Sequence, residues 1–162
     1  MPASIISQSL DGFYAGDKDG FITKYSYVED VISRMPKYSS FDASSAAEMA
    51  SMSLAAALVC AELVHDIARE YGSLEVMTDA EEADSYFRSS QTSAAMKKVD
   101  SQRDEEFVVL RKKLSAAKCL ADLLKREYDV LVKQHHLCKD LIKGVQSVST
   151  ADSGGSGLDD NL

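Results

Sequence analysis

The sequence lacks tryptophan and is poor in proline and in aromatic residues. Its 162 positions include two prolines, Pro2 and Pro36, and aromatic side chains make up 7% of the chain. Because proline interrupts helices, the chain after Pro36 carries no such interruption. Alanine, which has the highest helix propensity, is abundant there. This composition predicts an all-α fold rather than a β-sandwich or barrel.

Cysteine is also scarce, with Cys60, Cys119 and Cys138 in the whole sequence. An odd number without C-x-x-C spacing argues against a disulfide framework and against a zinc site, and it favours a reducing compartment. The first residues have neither the basic segment nor the apolar run of a signal peptide. We therefore expect a cytoplasmic protein without a metal or other cofactor.

Long hydrophobic runs are missing as well. The most apolar stretch, residues 54–64, contains Glu62 and lies between Glu48 and Asp66, so it is too short and too charged to span a bilayer. An apolar content of 45% is nevertheless sufficient for a folded core. We expect a folded helical protein that has no membrane partner.

Positive charge is in the minority, since the net charge is −8, but it is unevenly distributed. Residues 88–143 contain 13 Lys and Arg against 8 Asp and Glu, a local charge of +5, and the remaining residues carry −13. A basic region within an acidic chain indicates an anionic partner for that region.

Three segments are predicted along the chain. Residues 1–40 form an irregular N-terminal segment with one short helix, which begins at a capping box at residues 26–29 and ends before Pro36. Residues 41–146 form a helical domain. Residues 147–162, rich in Ser, Gly and Asp, form a disordered acidic tail.

Capping boxes and glycines predict the helix boundaries in this domain. One helix begins at a box at residues 45–48 and ends at Gly72, and another begins at a box at residues 78–81 and weakens at residues 89–93. The first is apolar on nearly every face, so it must be buried on nearly every face. We expect an obligate homo-oligomer, because one chain offers too few helices to cover it. The expected interface consists of Leu54, Leu58, Val59 and Leu63.

The last helix carries the longest regular pattern. Apolar side chains recur at spacings of three and four from Phe107 to Ile142, which is typical of a long helix in an antiparallel helical bundle or coiled coil. We predict that this helix ends at Gly144. Its seam consists of Phe107, Leu110, Leu114, Ala117, Ala121, Leu124, Tyr128, Leu131, His135, Cys138 and Ile142.

Two local patterns resemble metal sites, but neither is complete. Residues 17–22 look like part of a calcium loop, yet no register supplies a full set of ligands, so a plain turn is favoured. His135, His136 and Cys138 suggest a metal or a thiol–imidazole pair, but no third ligand is apparent, so a polar notch in the seam is favoured. No phosphate loop or catalytic motif is present, and we expect no enzyme.

Seven basic residues form the candidate binding site. Four of them recur at multiples of seven and lie on one stripe of the last helix, and three lie on the adjoining strip. Two interpretations remain open, because such a stripe can contact nucleic-acid phosphates or pair with acidic residues of a partner helix. The seven residues, called the basic stripe below, are Arg111, Lys112, Lys118, Lys125, Arg126, Lys133 and Lys139.

The helical part contains several short motifs, namely Met96-Lys-Lys-Val99, Asp104-Glu-Glu-Phe107, the spacing Leu110-x-x-x-Leu114-x-x-Ala117, Leu123-Leu-Lys125 and His135-His-Leu-Cys-Lys-Asp-Leu-Ile142. With these motifs the chain resembles phage recombination mediators of the UvsY type over about residues 46–143.

This resemblance implies a helical, oligomeric and non-enzymatic accessory protein of DNA recombination and repair, located in the host cytoplasm. Members bind single-stranded DNA and help to load a RecA-like recombinase onto strands covered by single-strand-binding protein. It implies phosphate contacts from every residue of the basic stripe except Lys139. A helical assembly, scaffold or adaptor protein without a nucleic-acid role is the alternative hypothesis.

Overall fold

A computed structural model describes residues 3–35 and 43–152, and the side chains of residues 6–35 and 44–144. No strand occurs in these ranges, so the predicted all-α class is confirmed. The helices are α1 (Ala3–Asp11), α2 (Lys18–Arg34), α3 (Ala43–Arg88), α4 (Ala94–Ser101) and α5 (Glu105–Asp152).

The two longest helices, α3 and α5, pack against each other in antiparallel directions. Early in α3, the carbonyl oxygen of Ala50 lies 2.9 Å from Nδ1 of His135, late in α5. Near the middle of both helices, the thiol of Cys60 donates to the carbonyl of Leu124 at 3.1 Å. The completely buried side chains of this contact include Leu63, Ile67, Leu124 and Leu131.

The seam predicted on α5 is the face that packs against α3. Leu124, Leu131 and Cys138 are completely buried, and Phe107 is 3% exposed. Tyr128 is the exception, because 38% of its surface remains exposed. The three-four spacing therefore identified the buried face of α5 but did not reveal the one position where that face opens to solvent.

Polar side chains form hydrogen bonds and an ion pair where the chain turns between α3 and α5. α3 ends at Arg88, directly before the polar stretch at residues 89–93 where the sequence indicated a weakening. The side chain of Asp104 accepts hydrogen bonds from the amides of Glu106 and Phe107, at 3.0 and 3.3 Å, at the start of α5. These bonds satisfy amides that have no partner within the helix and hold the pKa of the Asp104 carboxyl below its usual value. Arg88 lies 3.6 Å from the same carboxylate.

The helix boundaries predicted at Gly72 and Thr78 are wrong, because α3 passes through both residues without a break. No described glycine has a positive φ, so Gly72 does not form a helix C-cap. The Thr78 hydroxyl donates to the carbonyl of Leu74 at 2.6 Å instead of capping a new helix. Leu74, Thr78 and Ser85 are all buried, and this packing outweighs the cost of one interior glycine, about 1 kcal/mol.

Residues 1–40 were predicted to be irregular with one short helix, but the described part of this segment, residues 3–35, contains the two helices α1 and α2. α2 begins at Lys18, after the N-cap residue Asp17, whose side chain accepts from the amide of Gly20 at 3.0 Å. It does not begin at the capping box predicted at residues 26–29. Four apolar residues recur every three or four positions and bury one face of α2. They are Phe21, Tyr25, Val28 and Val31.

The C-terminal helix is longer than predicted. α5 continues past Gly144 to Asp152, so the helix boundary predicted at Gly144 is wrong. Of the disordered tail predicted for residues 147–162, residues 147–152 belong to the backbone of α5, and residues 153–162 lie outside the described residues.

By length and composition alone, residues Ser44–Arg88 of α3 are apolar enough to cross a membrane. One face of this helix is nevertheless buried against the protein itself, with Met49, Leu63 and Ile67 completely covered. The core helix of a soluble protein has the same property, because a helix packed on several sides is apolar on several sides.

We predict that the α3–α5 contact dominates folding stability. Leu131→Ala removes a completely buried side chain and should lower the free energy of unfolding by about 2–5 kcal/mol. Leu137→Ala, on the same helix but 53% exposed, should lower it by less than about 1 kcal/mol. Urea denaturation followed by circular dichroism measures both values. Equal losses for the two variants would contradict the described packing.

Candidate nucleic-acid interface

All seven residues of the basic stripe lie on the exposed surface of α5. They are exposed because the buried faces of this helix are occupied by contacts with α3 and with the N-terminal helices. Among the described residues, the ion pairs involve other cations, namely Lys18, Lys24, Arg34 and Arg88. The stripe thus presents cations that carboxylates of the described chain do not neutralise at ion-pair distance.

Three exposed carboxylates lie among these cations. Asp122 and Asp129 are one helical turn from Lys125 and Arg126, and Asp140 follows Lys139 directly. Their charges reduce the positive potential of the surface, so this face should bind a polyanion less strongly than an uninterrupted basic patch.

An open apolar groove runs beside the basic stripe. Ala61 and Val64 of α3 and Lys125 and Tyr128 of α5 line a depression of about 260 Å³. Tyr128 is therefore a partly exposed aromatic side chain next to a lysine. An aromatic ring beside a cation can stack on a base while the cation contacts a phosphate. The sequence did not reveal this arrangement, because it depends on the contact between two distant helices.

The neighbouring side of the α3–α5 pair is closed by α2. The hydroxyl of Tyr25 donates to Oε1 of Glu127 on α5 at 2.9 Å, and Nζ of Lys24 lies 2.9 Å from Oε2 of Glu62 on α3. Helical periodicity turns Glu62 and Glu127 to a different face from Ala61 and Lys125. The N-terminal helices therefore cover one groove between α3 and α5 and leave the groove beside the basic stripe open.

Glu127 is a partly buried carboxyl group in the contact between α2 and α5. Burial raises the pKa of Glu127 above its ordinary value of 4.5, although the hydrogen bond from Tyr25 acts in the opposite direction. Its second oxygen, Oε2, is buried and has no hydrogen-bond partner among the described residues. Burial also raises the pKa of Tyr25, and the hydrogen bond to Glu127 adds to this effect.

Hydrogen bonds within the α3–α5 pair involve Cys60 of α3 and His135 and Cys138 of α5. Burial raises the pKa of Cys60 to about 12, so this thiol stays protonated and donates to a backbone carbonyl. His135 must carry its proton on Nδ1, because the carbonyl of Ala50 can only accept. Cys138 is buried and receives a hydrogen bond from Gln134 at 3.5 Å. Among the described residues, no group of three or more His, Cys, Asp or Glu could hold a metal ion.

The four residues predicted for an oligomer interface have different exposures. Leu54 and Leu58 are 45% and 62% exposed and can meet a partner. Leu63 is completely buried in the core of its own chain, and Val59 is partly buried against that core. Including Leu63 in an outward interface was therefore wrong, because it packs inside the protomer.

Comparison of the chain with protein-family models, with curated proteins and with solved structures finds no match. The functional assignment accordingly depends on the chemistry of the exposed surface of α5 and of the groove beside it.

We predict that Glu127 makes folding stability depend on pH. The pKa of Glu127 is raised in the folded state. The contribution of this side chain to the free energy of unfolding is therefore fully present below its unfolded-state pKa and is lost as the pH rises through its folded-state pKa. Glu127→Gln removes the ionisation, so it should be more stable than the natural protein at pH 7, and this difference should shrink as the pH falls towards 4.5. The midpoint of thermal unfolding, measured across this range, tests the effect.

Asp129→Asn serves as the control, because it removes the same charge from an exposed position two residues away. Its difference from the natural protein should be smaller at every pH. A Glu127→Gln variant that is less stable than the natural protein at pH 7 would show that the ionised carboxylate is favourable in the contact.

Proposed function

We propose that the protein binds single-stranded DNA through the basic stripe of α5, as a non-enzymatic accessory protein of DNA recombination or repair. The observation that carries this proposal is the exposure of all seven cations without carboxylate partners at ion-pair distance among the described residues. The open groove beside them, which includes the partly exposed ring of Tyr128, adds a surface on which a base can stack.

The dimensions of the stripe suit an extended strand. From Arg111 to Lys139 the helix rises by about 42 Å, so several phosphates of one strand can contact it at the same time. Each phosphate contact releases condensed counterions, and this release makes the affinity depend on salt but not on sequence. The carboxylates of Asp122 and Asp129 limit the number of contacts, and we expect three to six of them.

The proposal includes a homo-oligomer in which α3 and α5 belong to a larger helical bundle or coiled coil. Large apolar side chains remain exposed on both helices, among them Leu54, Leu58, Val130 and Leu137, at 45–62% of their surface. Soluble monomers rarely expose so many on adjacent faces. The resemblance to phage recombination mediators supports a RecA-like recombinase and single-strand-binding protein as partners, and the cytoplasm as the location.

An assembly or scaffold protein without a nucleic-acid role is the second candidate. The same exposed apolar side chains favour it, as do Asp122 and Asp129, which interrupt the basic stripe. In that case the lysines pair with acidic residues of a partner helix. The two candidates differ in one property, because only the first binds an oligonucleotide.

We predict sequence-independent binding of single-stranded DNA that weakens with salt. Three to six phosphate contacts give a slope of log affinity against log salt concentration of roughly −2 to −4. The combined variant Lys118→Glu, Lys125→Glu and Lys133→Glu should abolish binding and leave the helical circular dichroism unchanged. Fluorescence anisotropy of a labelled oligonucleotide at several salt concentrations measures the slope.

A variant with the same change of charge elsewhere is the control. The triple variant Lys97→Glu, Lys98→Glu and Arg103→Glu alters two cations of α4 and one that follows it, all outside the basic stripe, and should reduce affinity only slightly. Absence of binding by the natural protein at low salt would exclude the DNA function and favour the assembly protein. Equal losses from both triple variants would mean that net charge, and not the stripe, drives binding.

We predict that the natural protein is a folded homo-oligomer at micromolar concentration. Leu58→Asp places a charge at the most exposed leucine of α3 and should dissociate the oligomer without unfolding the chain. Light scattering behind a sizing column gives the mass, and circular dichroism checks the fold. A single folded species of 17.7 kDa from the natural sequence would contradict this prediction.

A further inference from the structure

We infer that two copies pair through the exposed face of α3 in antiparallel directions, with the twofold axis between Leu58 and Ala61. This inference rests on the proposed homo-oligomer and specifies its interface. The face, called the α3 face below, consists of Ala47, Ser51, Leu54, Leu58, Ala61, His65, Ala68 and Gly72.

The α3 face contains no Asp, Glu, Lys or Arg over seven helical turns. Its residues recur at spacings of four and three, and all are exposed except Gly72, which is partly exposed. In a chain with 27% charged residues, a solvent-facing helix surface of about 38 Å would normally carry several charges. A surface that is exposed, mostly apolar and free of Asp, Glu, Lys and Arg along its length is suited to contact with another helix.

Gly72 is a separate indication of a close approach. It lies inside α3 without a positive φ, and a side chain added there would meet nothing within 4 Å in the chain. An interior glycine weakens a helix, and no contact within the described protomer requires one at this position. A second helix whose backbone passes close to α3 would require a residue without a side chain at this position, because glycine and alanine let helices approach closely.

The order of the side chains along the α3 face fits an antiparallel copy. When residue 58 of one chain faces residue 61 of the other, Leu58 meets Ala61 and Leu54 meets His65. The remaining pairs are Ser51 with Ala68 and Ala47 with Gly72. The large residues near the centre thus meet a smaller or a planar side chain, and the ends combine small residues only, so the two surfaces can interlock.

Charge also favours the antiparallel direction. Glu75 and Asp79 follow the α3 face on the same side of the helix and are exposed. The opposite end of α3 lies beside the end of α5 that carries Lys143, since Ala46 packs near Ile142. An antiparallel copy brings its acidic end towards this lysine. A parallel copy would instead place the acidic ends of both helices together, which is unfavourable.

Cross-linking of single-cysteine variants tests the direction and the register. Cys119 is the exposed cysteine among the described residues, so the variants are made with Cys119→Ser, while Cys60 and Cys138 are buried. Leu58→Cys and Ala61→Cys lie near the proposed axis and should each cross-link to the same residue of the second copy with a short bismaleimide. Ala47→Cys and Gly72→Cys should not cross-link alone but should do so when the two variants are mixed.

Val76→Cys is the matched control, because it is 70% exposed on the same helix but lies beyond the α3 face. The yield of cross-linked dimer from Val76→Cys should be at least about tenfold lower than the yield from Leu58→Cys. Self-cross-linking of Ala47→Cys and Gly72→Cys would establish a parallel pair and overturn the inference. A stable oligomer in which no position of the α3 face cross-links would place the interface elsewhere. A monomer by light scattering would refute the proposed oligomer itself, while DNA binding remains a separate measurement.

Discussion

Leu63, Leu124 and Leu131 are completely buried where α3 packs against α5, and the rest of the molecule is arranged around this contact. Each such side chain contributes about 1.5–3 kcal/mol when it leaves water. The seam of α5 is turned towards α3 and the N-terminal helices cover a neighbouring side, so the remaining sides of α5 face solvent. The basic stripe is therefore exposed as a consequence of the same packing that holds the protein together.

The two grooves beside this contact differ in a way that determines where a ligand can bind. On one side, α2 covers the α3–α5 pair and brings Tyr25 to Glu127, a partly buried carboxyl group that costs free energy when ionised. On the other side, Tyr128 and Lys125 remain accessible. The acidic remainder of the chain repels a polyanion, so in the proposed function a nucleic acid would be directed to the basic side of α5. In the proposed homo-oligomer the α3 face contacts a second copy, and this face meets the groove at Ala61.

Local spacing predicted part of this fold. The three-four pattern from Phe107 to Ile142 identified the buried face of α5, because periodicity records which side of a helix is apolar. The breaks predicted at Gly72 and Thr78 were wrong, since burial of Leu74 favours a continuous helix more than one glycine disfavours it. The start of α2 was missed because its Asp-Lys-Asp-Gly sequence also fits a turn.

The site was predicted less completely than the fold, because it joins residues far apart in sequence. The basic stripe can be predicted from the spacing of its residues along one helix. All seven of them are exposed, which contact with a partner requires. Two features depend on how separate helices pack, namely the groove between Ala61 and Tyr128 and the hydrogen bond from Tyr25 to Glu127. The same packing buries Leu63, which sequence periodicity could not distinguish from the outward-facing Leu58 on a helix apolar all round.

The central claim is that single-stranded DNA lies along the basic stripe, with a base near Tyr128. Photo-cross-linking with an oligonucleotide that contains 5-iodouracil at every second position, followed by peptide mapping, tests it most directly. The account predicts cross-links in residues 111–139 of α5, with Tyr128 among the modified residues, and their loss at high salt. Cross-links confined to α1, α2 or α4, or none at low salt, would contradict it.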